Sequence, residues 1–302
     1  MTRRSIIGCI VVLRPIRRER ETVMPDLRFT KMHGCGNDFV VIDAVRQSIP
    51  ETFVATRIAD RRLGVGCDQI LILRRAPRNS RADFNYQIIN ADGTEVGQCG
   101  NGARCAHAFL RRNRLAVKKR MTLAASGAQI MTEDAGNKMV RAYLAKPTFV
   151  PEKVPLQRKK EQPLYAASAA EGGMSLPGRF SALSLGNPHA VFVAAESDNL
   201  EEAGQTLNDN RRLFPDGVNV GFCRREKDKI ILRVYERGVG ETPSCGSGAA
   251  AAAVVMIRGG AVKSPVHVST PGGELLCGWK GESHPAWIQG RINFVFDGIL
   301  RL

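Results

Sequence analysis

The chain has 302 residues, 43% hydrophobic and 24% charged, a globular composition with room for one large domain or two of ordinary size. Its formal charge of +15 comes from scattered basic residues, and with only 6% aromatics there is no interleaved basic–aromatic stretch, so no nucleic-acid partner is expected. No apolar run approaches the length of a membrane span, and eight cysteines without a Cys-x-x-Cys pair point to reduced thiols in a cytoplasmic protein, not to a disulfide framework or a zinc site.

In chain order, residues 1–26 are set aside as a leader. The first 23 hold six arginines and an apolar stretch over residues 6–13, but Pro15 and further arginines stand where a signal peptide would have small residues, so Met24 reads as the working start. A Gly-Asn pair then precedes a β-branched strand over residues 35–43. A helix is expected over 48–61, a strand over 82–89 and a helix over 100–114. Prolines 147, 151, 155, 163 and 177 mark residues 142–177 as an extended junction. Beyond it, a second Gly-Asn strand is expected over 185–193, helices over 199–208 and 246–258, and strands over 228–236, 265–270 and 274–281. The last two are joined through Pro271-Gly272-Gly273. The predicted fold class is α+β, as two pseudo-symmetric domains, each a mainly antiparallel sheet wrapped around a central helix.

The symmetry comes from an internal repeat. "CGNDFVVID" has a counterpart in "LGNPHAVFV", and "IINADGTEVGQCGNGARCAHAF" parallels "VYERGVGETPSCGSGAAAAAVV". Counted back from the cysteines, Cys99 matches Cys245, Glu95 matches Glu241 and Asn90 matches Glu236; each cysteine is followed by Gly-x-Gly-Ala. Both thiols are therefore expected at helix N-termini, where free N–H groups favour a thiolate and pull its pKa toward neutrality. A lone cysteine would read as a small buried hydrophobe. Two matched ones can serve as a redox pair, or as base and acid on opposite faces of a stereocentre. No cofactor is required for the second chemistry.

At these residues the sequence resembles the diaminopimelate epimerase family, through "MHGCGNDFVVID", "NADGTEVGQCGNGARC", "LGNPHAVFV", "NVGF" and "VYERGVGETPSCGSGA", over residues 27–302. The resemblance implies an isomerase that converts LL-2,6-diaminopimelate to the meso form by a two-base thiol/thiolate mechanism. Cys99 and Cys245 would be the acid–base pair. Gly100, Asn101, Gly246 and Ser247 would cradle the reacting carboxylate. Asn37, Gln69, Asn90, Asn187, Asn219, Glu236 and Arg237 would line the substrate pocket, with His189 and Glu236 tuning the cysteines. It also implies an N-terminal domain over 27–142 plus 291–302, a C-terminal domain over 143–290, and a homodimer in which Phe296 stands where relatives often have tyrosine. A related isomerase acting on another amino acid, such as a proline racemase-like enzyme, and a redox or binding protein that closes a Cys99–Cys245 disulfide are the competing readings. Cys35, Cys67 and Cys105 are expected to pack as apolar residues, and His33, His107, His267 and His284 to be structural.

Overall fold

A computed structural model describes residues 26–171, 176–193 and 200–301. The expected leader lies outside these residues, Asp26 excepted. In the first half, β1 (Asp26–Gly34) and β2 (Asn37–Asp43) form a hairpin, α1 (Ala55–Ala59) crosses to β3 (Gln69–Arg75), and β4 (Phe84–Asn90) and β5 (Glu95–Val96) lead into α2 (Gly100–Arg112). Strands β6 (Arg120–Ala125), β7 (Ala128–Asp134) and β8 (Met139–Tyr143) follow. The second half repeats the order: β9 (Ser181–Ser184), β10 (Pro188–Val193), α3 (Leu200–Asp209), β11 (Asn219–Glu226), β12 (Lys229–Glu236), β13 (Gly240–Thr242), α4 (Gly246–Arg258), β14 (Val266–Thr270), β15 (Gly273–Gly278) and β16 (Trp287–Arg291). A last strand, β17 (Asn293–Arg301), completes the chain.

Strand pairing follows the same scheme in each half. β2 runs parallel to β3, as β10 does to β11, and in each case one helix makes the crossover. β4 is antiparallel to β3 and parallel to β6, just as β12 is antiparallel to β11 and parallel to β14. The halves meet where equivalent strands β8 and β16 pair antiparallel, Ala142 opposite Ile288. β17 leaves the second half and pairs with β1, Phe29 opposite Gly298.

Helix α4 is set by its alanine run, the residue of highest helix propensity, and by a run that is apolar all round and so is buried all round. α2 is amphipathic and buries Ala103, Cys105, Ala106, Phe109 and Leu110. Both helices lie in one hydrophobic core that continues across the halves, through Met32, Val41, Leu71, Ala249, Ala252, Val268 and Ile288. Two smaller cores lie on the outer faces, one including Ile58 of α1 and one Leu207 of α3.

The helix expected over 48–61 shrinks to α1. Pro50 and the β-branched Thr52 and Val54 precede it, and its N-cap Val54 has no side chain able to cap. The other three predicted helices form within two residues of their expected bounds. Cys67 and Cys105 are buried as expected, whereas Cys35 is half-buried in the β1–β2 turn at φ +56°, with its thiol toward Glu274 O. Among the described residues no helix is long and apolar enough to cross a membrane.

Candidate active site

Each of the two matched cysteines is the N-cap of its helix. Cys99 has φ −142°, ψ 113°, and its Sγ accepts the Gly102 N–H at 3.2 Å. Cys245 has φ −111°, ψ 112°, and its Sγ accepts the Gly248 N–H at 3.4 Å. The extended backbone that a cap needs turns each side chain back over its own first helical turn, where the unpaired N–H groups are.

The two helix starts converge on one atom. A methyl group at Gly100 would lie 3.0 Å from Ile288 Cδ1, and one at Gly246 would lie 2.9 Å from the same carbon and 3.0 Å from Asn101 Oδ1. A larger residue at either place would have to push the Ile288 methyl or the Asn101 amide aside. Ile288 sits on β16 at the β8–β16 seam, so the pseudo-twofold pairing of the sheet brings the cysteine-capped helices together.

Some of the polar residues named from sequence lie beside one thiol or the other, and others bond to one another nearby in the chain. Asn37 Oδ1 lies 3.9 Å from Cys99 Sγ. Ser247 Oγ is 3.5 Å from Cys245 Sγ and accepts from Asn187 Nδ2 at 3.2 Å, while Asn187 Oδ1 bonds His189 Nε2 at 3.1 Å. Asn219 Oδ1 accepts the Arg237 backbone N–H at 3.0 Å, and its Nδ2 donates to Pro188 O. Gln69 Nε2 donates to Asn90 Oδ1 at 2.9 Å across β3–β4. Glu236 accepts from Thr242 Oγ1 at 2.5 Å, and its charge reaches the Cys245 thiol. Arg237 is the outlier: its guanidinium is exposed and donates to Asp216 O.

The expected lowering of the cysteine pKa values is reversed. Burial pushes the Cys99 thiol up to about 11, opposed by the Gly102 N–H and assisted by the Glu236 charge. Cys245 is raised well above the ordinary thiol value, again by burial first and by Glu236 second. A helix terminus is worth about one pKa unit, whereas burial moves a group by roughly 3–5 units, so desolvation wins. Burial likewise raises Glu236 and, with the Arg237 charge, lowers His189 to about 3, so the imidazole is neutral.

Sequence reasoning missed the support behind Asn37. Asp68 Oδ2 accepts from both Asn37 Nδ2 and the Asp38 N–H at 3.0 Å, and Arg61 Nη2 bridges Asp38 and Asp68 at 2.8 Å each. Lys31 pairs with Asp38 at 2.7 Å and also donates to Gly66 O. This network fixes the Asn37 amide with its oxygen toward Cys99. The acidic residues directly following Asn37 and preceding Gln69 were the available signal. Among the described residues no group of three His, Cys, Asp or Glu could hold a metal ion, and the seven described cysteines are free thiols.

Two thiols beside converging helix N-termini form an arrangement suited to moving a proton through an atom held between them. Comparison with known proteins identifies the family. The family model for diaminopimelate epimerase matches residues 29–150 and 181–295. The chain is 43% identical over 282 residues to the diaminopimelate epimerase of Nitrosospira multiformis, covering 91% of this chain and 99% of that one. Among solved structures, the fold is shared with a PhzF-family phenazine biosynthesis protein of Bacillus anthracis (TM-score 0.67, 14% identity, 92% of this chain and 100% of that one). It is shared too with a hydroxyproline epimerase of Agrobacterium vitis (TM-score 0.65, 18% identity, 94% of each chain). The chain therefore belongs to the diaminopimelate epimerase family.

Proposed function

We propose that the protein converts LL-2,6-diaminopimelate to meso-diaminopimelate with Cys99 and Cys245 as the two acid–base groups, as a cytoplasmic enzyme of lysine and peptidoglycan-precursor synthesis that needs no cofactor. The observation that carries this reading is the pair of cysteine-capped helices whose first glycines meet on Ile288 Cδ1. One sulfur, as thiolate, takes the Cα proton. The electron pair left on the α-carbon delocalises into the α-carboxylate, where N–H groups at the starts of α2 and α4 stabilise it. The other thiol then delivers its proton to the opposite face and is left as thiolate, so the two sulfurs exchange states once per turnover.

The neighbouring groups have matching tasks. Asn101 and Ser247, second residues of their helices, border the carboxylate cradle. Asn37, Gln69, Asn90, Asn187 and Asn219 offer amide oxygens to ammonium groups and amide N–H to carboxylates. Glu236 accepts from ammonium, and Arg237, exposed at the end of β12, turns its fork to the distal carboxylate when substrate arrives. The competing substrate class, a cyclic amino acid such as proline, has no distal charged end for Glu236 and Arg237. A homodimer through β17 fits its exposed Val295, Phe296 and Ile299, with the Phe296 ring edge-on to Phe29 at 5.9 Å.

The test is incubation of reduced protein with LL-diaminopimelate, and separately with L-proline, in deuterated water. Deuterium at the α-carbon of diaminopimelate, accompanying formation of the meso isomer, is expected, with none in proline. Turnover of proline instead, or turnover that needs oxidised protein, would overturn the reading.

A further inference from the structure

The largest fully buried side chain among the described residues is a cation. Arg104, on α2 one turn beyond Cys99, is 0% exposed. Its Nη2 donates to Asn101 Oδ1 at 2.6 Å, while Nε and Nη1 have no partner, and among the described residues no carboxylate pairs with it. The guanidinium is clamped in place: a methyl group at Gly34, the last residue of β1, would lie 3.2 Å from Nη2, and one at Gly290 of β16 would lie 2.7 Å from Nη1. An isolated buried cation with unused donors is costly, and such a group persists where an anion develops beside it. The matching position of the second half, five residues after Cys245, holds the buried Ala250.

Three thiols lie within reach of its charge: Cys105 on α2 and Cys277 on β15, where it is the main influence opposing burial, and Cys99, where it adds to the Gly102 and Asn101 N–H groups. Cys105 and Cys277 are wholly buried. Of the three, only Cys99 is not fully buried and has a helix-start N–H on its sulfur, so it is the one whose thiolate has a donor waiting for it. From other elements, Cys99 faces the Glu236 carboxylate of β12, which opposes ionisation, and the Tyr86 hydroxyl of β4.

We infer that Arg104 is a positioning residue of the site: its guanidinium, anchored on Asn101 at the start of α2, is the buried counter-charge for the Cys99 thiolate. This rests on the reading that Cys99 exchanges a proton. Arg104 touches no reacting atom; it acts through Cys99 and Asn101. The contribution is one-sided, so removing it is expected to disturb one cysteine and leave the other nearly untouched.

The experiment is site-resolved alkylation of full-length protein by iodoacetamide at pH 8, read by mass spectrometry of the Cys99 and Cys245 peptides. Arg104→Met is expected to slow Cys99 about tenfold, one pKa unit, with Cys245 within about twofold of wild type. Arg104→Lys, which keeps the charge and loses the fork, is expected to restore Cys99 to within about threefold. A merely structural role would loosen the packing and speed both cysteines together; that result, or an unchanged Cys99 rate, overturns the inference. Should Arg104→Met fail to fold, wild-type protein carries the same test. The 13Cζ resonance of Arg104, assigned by its loss in Arg104→Lys, is expected to shift over the pH range in which Cys99 alkylation rises, and to stay flat in Cys99→Ala. A flat wild-type resonance overturns it. Full turnover in Cys99→Ala would instead remove the epimerase reading while leaving the alkylation result intact.

Discussion

The two half-sites have the same backbone and different electrostatics. In each, the strand after Gly-Asn runs parallel to its crossover partner, with Phe39 opposite Gln69 in one half and His189 opposite Asn219 in the other. In each, a two-stranded hairpin leads to a cysteine cap, with Ile89 opposite Glu95 and Tyr235 opposite Glu241. The first half carries an amide pair and a buried guanidinium near its helix start, while the second carries the Glu236 carboxylate, which acts on both thiols, and a neutral imidazole bonded to Asn187. A duplicated scaffold supplies two equivalent helix starts, which suits the two faces of one carbon. A substrate with a reacting end and a distal end is not itself symmetric at the site, so the polar side chains have no reason to stay matched.

The severest way to break this pairing is to remove a sulfur. Cys99→Ala and Cys245→Ala are each expected to lower kcat by roughly a thousandfold or more, because each face needs its own proton carrier. Their solvent-deuterium exchange should separate the halves: each single variant is expected to lose inversion, while the remaining thiol exchanges hydrogen only on the face it serves. Wild-type kcat in either variant would contradict the two-base assignment.

Swapping the charged and neutral partners comes next. Glu236→Gln removes the carboxylate that raises both thiols, most directly Cys245, and is expected to speed Cys245 alkylation at pH 8 by about tenfold while lowering kcat by about a hundredfold. The reciprocal Asn90→Glu places a carboxylate at the matching position and is expected to slow Cys99 alkylation. If Glu236→Gln left Cys245 unchanged, the carboxylate would not be the group that distinguishes the halves.

Each half also buries one neutral histidine, His107 against Thr132 at 2.8 Å and His189 against Asn187. Burial lowers them to about 4 and about 3, so their stabilising effect is full above the unfolded pKa near 6.5 and is lost as pH falls from 6.5 toward those values. At pH 5 the unfolded chain holds a proton at each that the folded chain does not, a loss of about 2 kcal/mol per histidine. Urea unfolding at pH 7 and pH 5 should show His107→Asn and His189→Asn each losing less stability on acidification than wild type. Equal losses in all three proteins would mean that neither imidazole is held neutral.

The elements that could be read from residues alone were those with a strong local cause. The caps at Cys99 and Cys245 follow from small flexible residues before a helix-forming run, and the repeat doubled that signal. The helix over 48–61 was overread because Glu51, Arg57 and Arg61 spaced around apolar residues imitate an amphipathic helix, while Pro50 and the uncapped Val54 hold the first half of that stretch out of it. Arg104 left no trace, since an arginine on an amphipathic helix reads as solvent-facing, and only the approach of Gly34 and Gly290 buries it. The thiol pKa values were misjudged because the helix terminus is visible in sequence and the depth of burial is not.

The mildest probe concerns a matched pair of hairpin contacts. In the first half Gln87 Nε2 donates to Glu95 Oε2 at 2.8 Å; in the second, at the same offset from the cysteine, Arg233 grips Glu241 with two bonds of 2.8 and 2.9 Å. Both pairs are largely exposed, and an exposed ion pair is worth about 0.5 kcal/mol and is screened by salt. Glu241→Gln is therefore expected to cost about 0.5 kcal/mol at low salt and close to nothing at 1 M salt. Glu95→Gln loses bonds from the neutral Gln87 and Ser126 and keeps no direct ion pair, Arg74 acting on it as a charge without a bond, so its cost should change less with salt. Denaturant unfolding at two ionic strengths resolves the difference. Equal salt dependence in the two variants would mean that the halves differ electrostatically only at their thiols, and that divergence of the duplicated unit stopped at the walls of the site.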